Sequence, residues 1–400
     1  MRVVLFTGKG GVGKTTLAAA TSARLAAAGR KVLVVSTDPA HSLGDAFGVP
    51  LSAEPVEVEE GLSAGNIDAR GLVDEAWSEL RGHLYRLLSG AGVNELDAEE
   101  LTVLPGVEEL LALAEVHRLA ATGLWEVVLV DCGPTAETLR LLALPEALAG
   151  YLDRLFPSGR RGGLAGMALG SRMDGLSGTA EALGGLAERL ASLRRMLVDS
   201  SVTSVRLVLT PERVVIAETR RTLTALALQG IRVDGVIANR VVPKPGMRRG
   251  PAERWMRTRR AEQDTVLDEV RANSEVAVRT VAHQAAEPVG TAALRELADD
   301  LYGSDDPLAE NDVDSPPLLS VTGGGRATSA EYQLRIAVPL NEDAELDLAR
   351  VDDDLAVTVD GRRKLIALPA VLRRCVVTGA DVDTSGVVVH FRRQPTVRMR

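Results

Sequence analysis

The sequence predicts an α/β protein: a doubly wound parallel sheet with a helical subdomain, followed by a small C-terminal all-β sandwich. Three observations predict it. Short β-branched apolar runs alternate with longer helical patterns up to about residue 303, and a Gly-rich turn joins the first such run to the first helix. Beyond about residue 330, strand patterns alternate with turn residues and no helical pattern intervenes. A chain of 400 residues is also long for one domain, and 46% hydrophobic with 25% charged residues suits a soluble protein with a sizeable core.

Val3 to Thr7, Lys31 to Thr37, Glu126 to Asp131, Val205 to Thr210, Val233 to Asn239 and Val276 to Val281 read as strands buried on both faces. Thr15 to Ala28, Glu108 to Ala121 and Ala217 to Gln229 read as helices between them. Two insertions, 70–106 and 146–200, are too long for simple crossovers. Their apolar stripes, Leu72, Ala76, Leu80, Leu84 and Leu87 in one and Leu183, Leu186, Leu190, Leu193 and Leu197 in the other, predict a helical subdomain. Between Gly159 and Gly178 a Gly-rich stretch carries Leu164, Met167, Leu169, Met173 and Leu176, read as ordinary packing of that subdomain, a mobile lid or part of an adaptable apolar groove. Residues 304–330, rich in Asp, Glu, Ser, Pro and Gly, read as a linker; YQLRIAVPL, LAVTVDGRRKLIAL, RRCVVTGADVD and GVVVHFRR then read as the strands of a sandwich spanning 331–400.

Composition excludes several functions. A net charge of −9 and only 3 Trp, 4 Tyr and 4 Phe argue against nucleic-acid binding. Cys132 and Cys375 cannot build a disulfide framework, a zinc cage or an iron–sulfur site within one chain, and they suit a reducing cytoplasm. No stretch has the form of a signal peptide or a transmembrane span. Arg248, Arg249, Arg254, Arg257, Arg259 and Arg260 form a basic cluster, read as a solvated helical arm or as a contact for an acidic partner, anionic lipid or nucleic acid.

Gly8-Lys9-Gly10-Gly11-Val12-Gly13-Lys14-Thr15 fits the G-x-x-x-x-G-K-[ST] pattern and sits between an apolar strand and an Ala-rich helix, as a phosphate-binding P-loop requires. Its glycines let backbone N–H groups close on phosphate, Lys14 neutralises charge, and the Thr15 hydroxyl ligates Mg²⁺. Only five of the 46 basic residues are lysines, and two of them, Lys9 and Lys14, lie in this loop.

The form K-G-G-V-G-K-T-T, ending at Thr16, resembles the ArsA and tail-anchored-protein targeting (GET pathway) ATPases. The resemblance covers roughly residues 1–303, and the tail resembles the α-crystallin-like sandwich of some bacterial and plastid members. It implies ATP and Mg²⁺ as cofactors and a nucleotide-dependent homodimer in which Lys9 reaches the partner's nucleotide. Asp38-Pro39-Ala40-His41-Ser42 resembles the family's switch I, with Asp38 placed to orient or deprotonate the attacking water. Asp131-Cys132-Gly133-Pro134-Thr135 resembles switch II, with Asp131 holding Mg²⁺ through water; Ala136-Glu137 departs from the family's Gly-His. Glu212 and Asn239 match positions that contact nucleotide, although an Asn at a strand end is also a common turn residue.

By the same resemblance the client is a hydrophobic protein or membrane-protein segment. The alternatives are an arsenite or anion pump-driving subunit and a spatial-organising ATPase bound to membrane or DNA. The zinc clamp of eukaryotic members has no cysteines here, and the arsenite-binding thiol cluster has no counterpart.

Overall fold

The computed structural model describes residues 1–38, 40, 42–69, 71–72, 107–134, 188–189, 191–246, 250–272, 274, 276–309, 319–323, 331–336, 345–351, 354–359, 362–369, 371–383 and 386–393. Chain contacts divide it into two units: 1–212 with 234–311, and 213–233 with 312–400.

The first strand, β1 (Arg2–Gly8), has Val3, Val4, Leu5 and Phe6 with no exposed surface, as an uninterrupted apolar run demands when both sheet faces are covered. It is followed by α1 (Lys14–Ala27), β2 (Val32–Ser36), α2 (Ser42–Phe47), β3 (Val56–Glu59), β4 (Leu62–Asn66), α3 (Val107–Ala121), β5 (Val127–Pro134), β6 (Thr203–Leu209), α4 (Arg213–Leu228), β7 (Val233–Val241), α5 (Pro251–Ala272), β8 (Val278–Ala282) and α6 (Thr291–Tyr302). The eight strands order as β3-β4-β2-β5-β1-β6-β7-β8. β1 pairs in parallel with both β5 and β6, so strand order reverses around it and the crevice for a ligand opens at the carboxyl ends of these strands. Register places Ser36 and Phe6 level with Asp131 on either side.

Alanines at 18, 19, 20 and 23 of α1 are fully buried, which lets the helix lie close to the sheet. Its Thr21 hydroxyl donates to the Leu17 carbonyl at 2.7 Å and lies 2.9 Å from Tyr302 Oη of α6. In β6, Arg206 is a charged residue inside a run read as buried, and it is only 1% exposed. Its guanidinium donates to both carboxylate oxygens of Asp234 (Nε at 3.1 Å, Nη2 at 2.9 Å), to Tyr302 Oη and to the Pro307 carbonyl, while Ser204 Oγ donates to Asp234 at 2.8 Å. The guanidinium also lies 5.8 Å from the centres of the Phe6 and Tyr302 rings.

In the second unit, β9 (Leu319–Gly323), β10 (Glu331–Ile336), β14 (Cys375–Asp383) and β15 (Gly386–Arg393) form a four-stranded sheet in the order β14-β15-β10-β9. A three-stranded sheet follows the order β11 (Leu346–Val351), β12 (Asp354–Val359), β13 (Arg362–Ala367). Alternate residues Leu334 and Ile336, Leu355, Val357 and Val359, and Val387, Val389 and Phe391 share one core, as period-two patterning requires. Leu228 of α4 joins it.

Three features differ from the sequence expectation. The hairpin β3–β4 went unread because VEVEEGLSAGN is too polar to resemble a buried strand; β3 is an edge strand, antiparallel to β4, and β4 pairs in parallel with β2 on its other side. β9 lies inside the stretch read as linker and pairs antiparallel with β10. Its five residues are flanked by Pro316, Pro317 and a Gly run that dominate the local composition. Residues 304–309 likewise belong with the first unit, where Leu308 is a core residue. The bulk of the expected helical subdomain, 73–106 and 146–187, lies outside the described residues, as does the segment from Leu164 to Leu176. Of its stripes, Leu193 and Leu197 are described and buried.

Arg206→Ala strands the buried Asp234 carboxylate and is expected to cost about 3–5 kcal/mol in equilibrium urea unfolding. The double variant Arg206→Met/Asp234→Leu, which leaves no unpaired charge, is expected to recover most of that loss.

Candidate active site

The loop after β1 is shaped by glycines at two contacts. A Cβ on Gly8 would fall 2.1 Å from the Val208 carbonyl oxygen, so only glycine lets the end of β1 lie this close to β6. Gly13 caps α1 in the left-handed region at φ 93°, and a Cβ there would fall 2.4 Å from Asn239 Nδ2. Gly10 and Gly11 face open space, while Val12 is buried beneath the loop. Lys14 is 6% exposed, and its ammonium donates to the Lys9 carbonyl at 3.3 Å; the Lys9 residue itself is exposed. Thr16, on the first turn of α1, is half-buried.

Asp131, at the end of the apolar run of β5, has no exposed surface. Its Oδ2 accepts hydrogen bonds from Thr15 Oγ1 at 2.6 Å and Ser36 Oγ at 3.2 Å. Its Oδ1 is buried with no partner. Burial is the largest influence on this carboxyl and pushes its pKa up to about 6; the Thr15 bond, the Lys14 charge and the Ser36 bond oppose the rise, and the Asp38 charge adds to it. Ser42 Oγ, at the start of α2, lies 3.1 Å from Thr15 Oγ1. A hydroxyl pair beside a carboxylate with one orphaned oxygen is a hard-oxygen donor set, and these residues fit Mg²⁺.

Asp38 follows β2. Its N–H donates to Ser36 Oγ at 3.2 Å and its Oδ1 accepts from the Ala40 N–H at 3.0 Å, an Asx-type turn that fixes the carboxylate beside the site. The Thr37 N–H donates to the Asp131 carbonyl at 2.9 Å, joining the segments after β2 and β5. Gly133 is half-buried, and the backbone of Pro134 pairs with Gly8. Pro39, His41 and Thr135 lie outside the described residues.

On the other side of β1, the Asn239 side chain meets the P-loop. Its Nδ2 donates to the Val12 carbonyl at 2.9 Å and its Oδ1 accepts the Arg240 N–H at 2.8 Å. Glu212, exposed at the end of β6, pairs with Arg259 of α5 at 3.3 Å. The structure thus gathers Lys9, Gly10 to Thr16, Asp38, Ser42, Asp131 and Asn239 around one loop. Sequence reasoning missed Ser36, whose hydroxyl serves both Asp131 and Asp38; the signal was a polar residue closing the apolar run VLVVS.

Residues 1–303 match the family described as anion-transporting ATPase, the ArsA ATPases. The chain belongs to the ArsA ATPase family. Residues 329–391 match the HSP20-like domain found in ArsA, so the C-terminal sandwich is the α-crystallin-like domain. A Mycobacterium tuberculosis protein, Rv2184c, is 38% identical, covering 99% of this chain and 97% of its own length. A Prosthecochloris vibrioformis protein, provisionally named an arsenical pump-driving ATPase, is 33% identical over 93% of this chain and 91% of its own length. The ATPase get3 of Aspergillus terreus is 32% identical over 62% of this chain and 75% of its own length. This ArsA-family chain is an ATP hydrolase, and no described helix is long and apolar enough to cross a membrane.

The raised pKa of Asp131 fixes a sign. Its folded value of about 6 lies above the ordinary carboxyl value of 3.8, so between these values the folded, metal-free protein holds the extra proton and stability falls as pH rises. A cation held at this carboxylate would compete with that proton. Mg²⁺ binding to the ADP-bound protein is expected to weaken by up to about tenfold per pH unit below about 6. In Asp131→Asn, calorimetric titration should retain only the slope that Mg²⁺ and free ADP show in solution.

Proposed function

We propose that this chain is a Mg²⁺-dependent ATPase working as a homodimer, whose nucleotide-driven closing and opening controls binding of a hydrophobic client such as a membrane-protein segment. The observation that carries the reading is the hydrogen bond from the half-buried Thr15 to the buried Asp131 beside the P-loop, with one carboxylate oxygen unpartnered. In this reading Thr15 and Asp131 hold Mg²⁺, Asp131 through water, and the ion supplies charge neutralisation at the transferred phosphoryl group. Lys14 and the loop amides hold the phosphates. Asp38 accepts a proton from, or orients, the attacking water, its carboxylate being fixed by the turn at Ala40. The carboxyl ends of β6 and β7, on the side of β1 away from Asp38 and Asp131, leave Glu212 and Asn239 for the nucleoside.

The deviant second lysine, Lys9, is exposed at the loop, which suits a contact to a partner's nucleotide. The apolar segment from Leu164 to Leu176 is the proposed client groove, with the α-crystallin-like domain governing access to it.

The names of relatives favour a second reading, an arsenical pump-driving subunit. Thiol-based activation has little to work with here. Cys132 and Cys375 are each 2% exposed and belong to different units, and burial pushes the Cys132 thiol far above its ordinary range. A spatial-organising role on DNA or membrane would use the arginine cluster. Arg257 already donates to the Gly246 carbonyl, Arg259 pairs with Glu212 and Glu262, and Arg260 pairs with Asp264.

Asp38→Asn is expected to lower kcat by at least about a hundredfold with ATP affinity kept within about twofold, as removal of a general base does; full turnover would refute the assignment. Lys9→Ala should leave a folded protein that no longer associates on adding ATP, read by light scattering. Polypeptides captured by ATP-locked Asp38→Asn should be enriched in hydrophobic segments. Arsenite stimulation of wild-type turnover would instead favour the pump reading.

A further inference from the structure

Helix α5 carries a buried side chain that braces the end of β7, next to Asn239. Gln263 is 4% exposed; its Oε1 accepts the Val242 N–H at 2.7 Å and its Nε2 donates to the Arg240 carbonyl at 3.3 Å. These two backbone groups lie on either side of Val241, at the C-terminal end of an irregularity in β7 where the register with β8 shifts between Ala238 and Val241. Arg240 stands there at φ 56°, the one non-glycine residue with positive φ among the described residues. Left-handed backbone disfavours a residue with a side chain, so bonds from outside must hold the turn.

The residue before it is Asn239. The Arg240 N–H is donated to Asn239 Oδ1 at 2.8 Å, and Asn239 Nδ2 in turn donates to the Val12 carbonyl of the P-loop at 2.9 Å. Hydrogen bonds joined through the backbone of Arg240 and the side chain of Asn239 therefore lead from α5 through a strained turn to the phosphate-binding loop. Arg260, on the same helix, adds a bond to the Val242 carbonyl at 2.8 Å.

We propose that Gln263 is a positioning residue for nucleotide binding: it holds the left-handed turn at Arg240 and so fixes the Asn239 amide against the P-loop, on the nucleoside side of the site. The proposal rests on the nucleoside-side reading of Asn239. A glutamine suits the place because one side chain must both accept an N–H and donate to a carbonyl. Glutamate, as a carboxylate, offers no donor and would set a negative oxygen against the Arg240 carbonyl.

The full-length protein tests this with Gln263→Leu, Gln263→Glu, Asn239→Ala and the double variant Gln263→Leu/Asn239→Ala, each checked for native melting by circular dichroism. Gln263→Leu is expected to raise KM for ATP about tenfold while kcat stays within about twofold, a loss of binding rather than of chemistry. Gln263→Glu should shift KM in the same direction, and it carries the comparison if the leucine variant does not fold. In the Asn239→Ala background, Gln263→Leu should raise KM no further, because both changes break the same connection. An unchanged KM in both Gln263 variants overturns the proposal, as does full multiplication of the two single effects in the double variant. An unchanged KM in Asn239→Ala overturns the nucleoside-side reading itself, and the proposal with it.

Discussion

One buried carboxylate organises the catalytic end of this fold. Asp131 ends the apolar run of β5, whose neighbours β1 and β2 are enclosed, and the sheet register sets Phe6 and Ser36 level with it. It therefore cannot turn to solvent. Thr15 of the P-loop helix and Ser36 of β2 bind the same oxygen, and Thr37 binds its carbonyl. The loop, the segment after β2 and the segment after β5 are thereby tied to one residue, so any ligand that engages Asp131 is felt by all three.

The Arg206–Asp234 pair shows what a buried charge looks like when it serves structure alone. Each oxygen of Asp234 has a donor, and the guanidinium meets both of them, a carbonyl, a hydroxyl and two ring faces. Asp131, equally buried, keeps one oxygen unpaired. That asymmetry separates the two sites. A satisfied network fixes the packing of β6, β7 and α6, whereas an unsatisfied carboxylate is poised for a cation.

Local, regular signals in the sequence were legible. Apolar runs marked β1, β2 and β5, and runs broken by few polar residues marked β6 and β7, because strands covered on both faces admit few polar residues. The P-loop was readable because its glycines answer to close contacts, as Gly8 against Val208 and Gly13 against Asn239 demonstrate. What escaped depends on partners far along the chain. Ser36 acquires its role only when β5 lies beside β2, and Gln263 is an ordinary residue of a polar helix until β7 breaks register opposite it. The hairpin β3–β4 escaped because an edge needs no apolar face on its outer side. Arg206, a charge in an otherwise apolar strand, is explained only by Asp234, which lies beyond an intervening helix.

The strand β9 bears on where the α-crystallin-like domain begins. Its backbone pairs with β10 from Leu319 to Gly323, upstream of residue 329 where the family match starts. A fragment cut at that boundary would expose one whole side of β10, a flat row of free N–H and C=O groups next to the buried Leu334 and Ile336. Such a fragment would be prone to pair with its own copies. The acidic, proline-bearing stretch before the domain thus supplies the strand that covers β10.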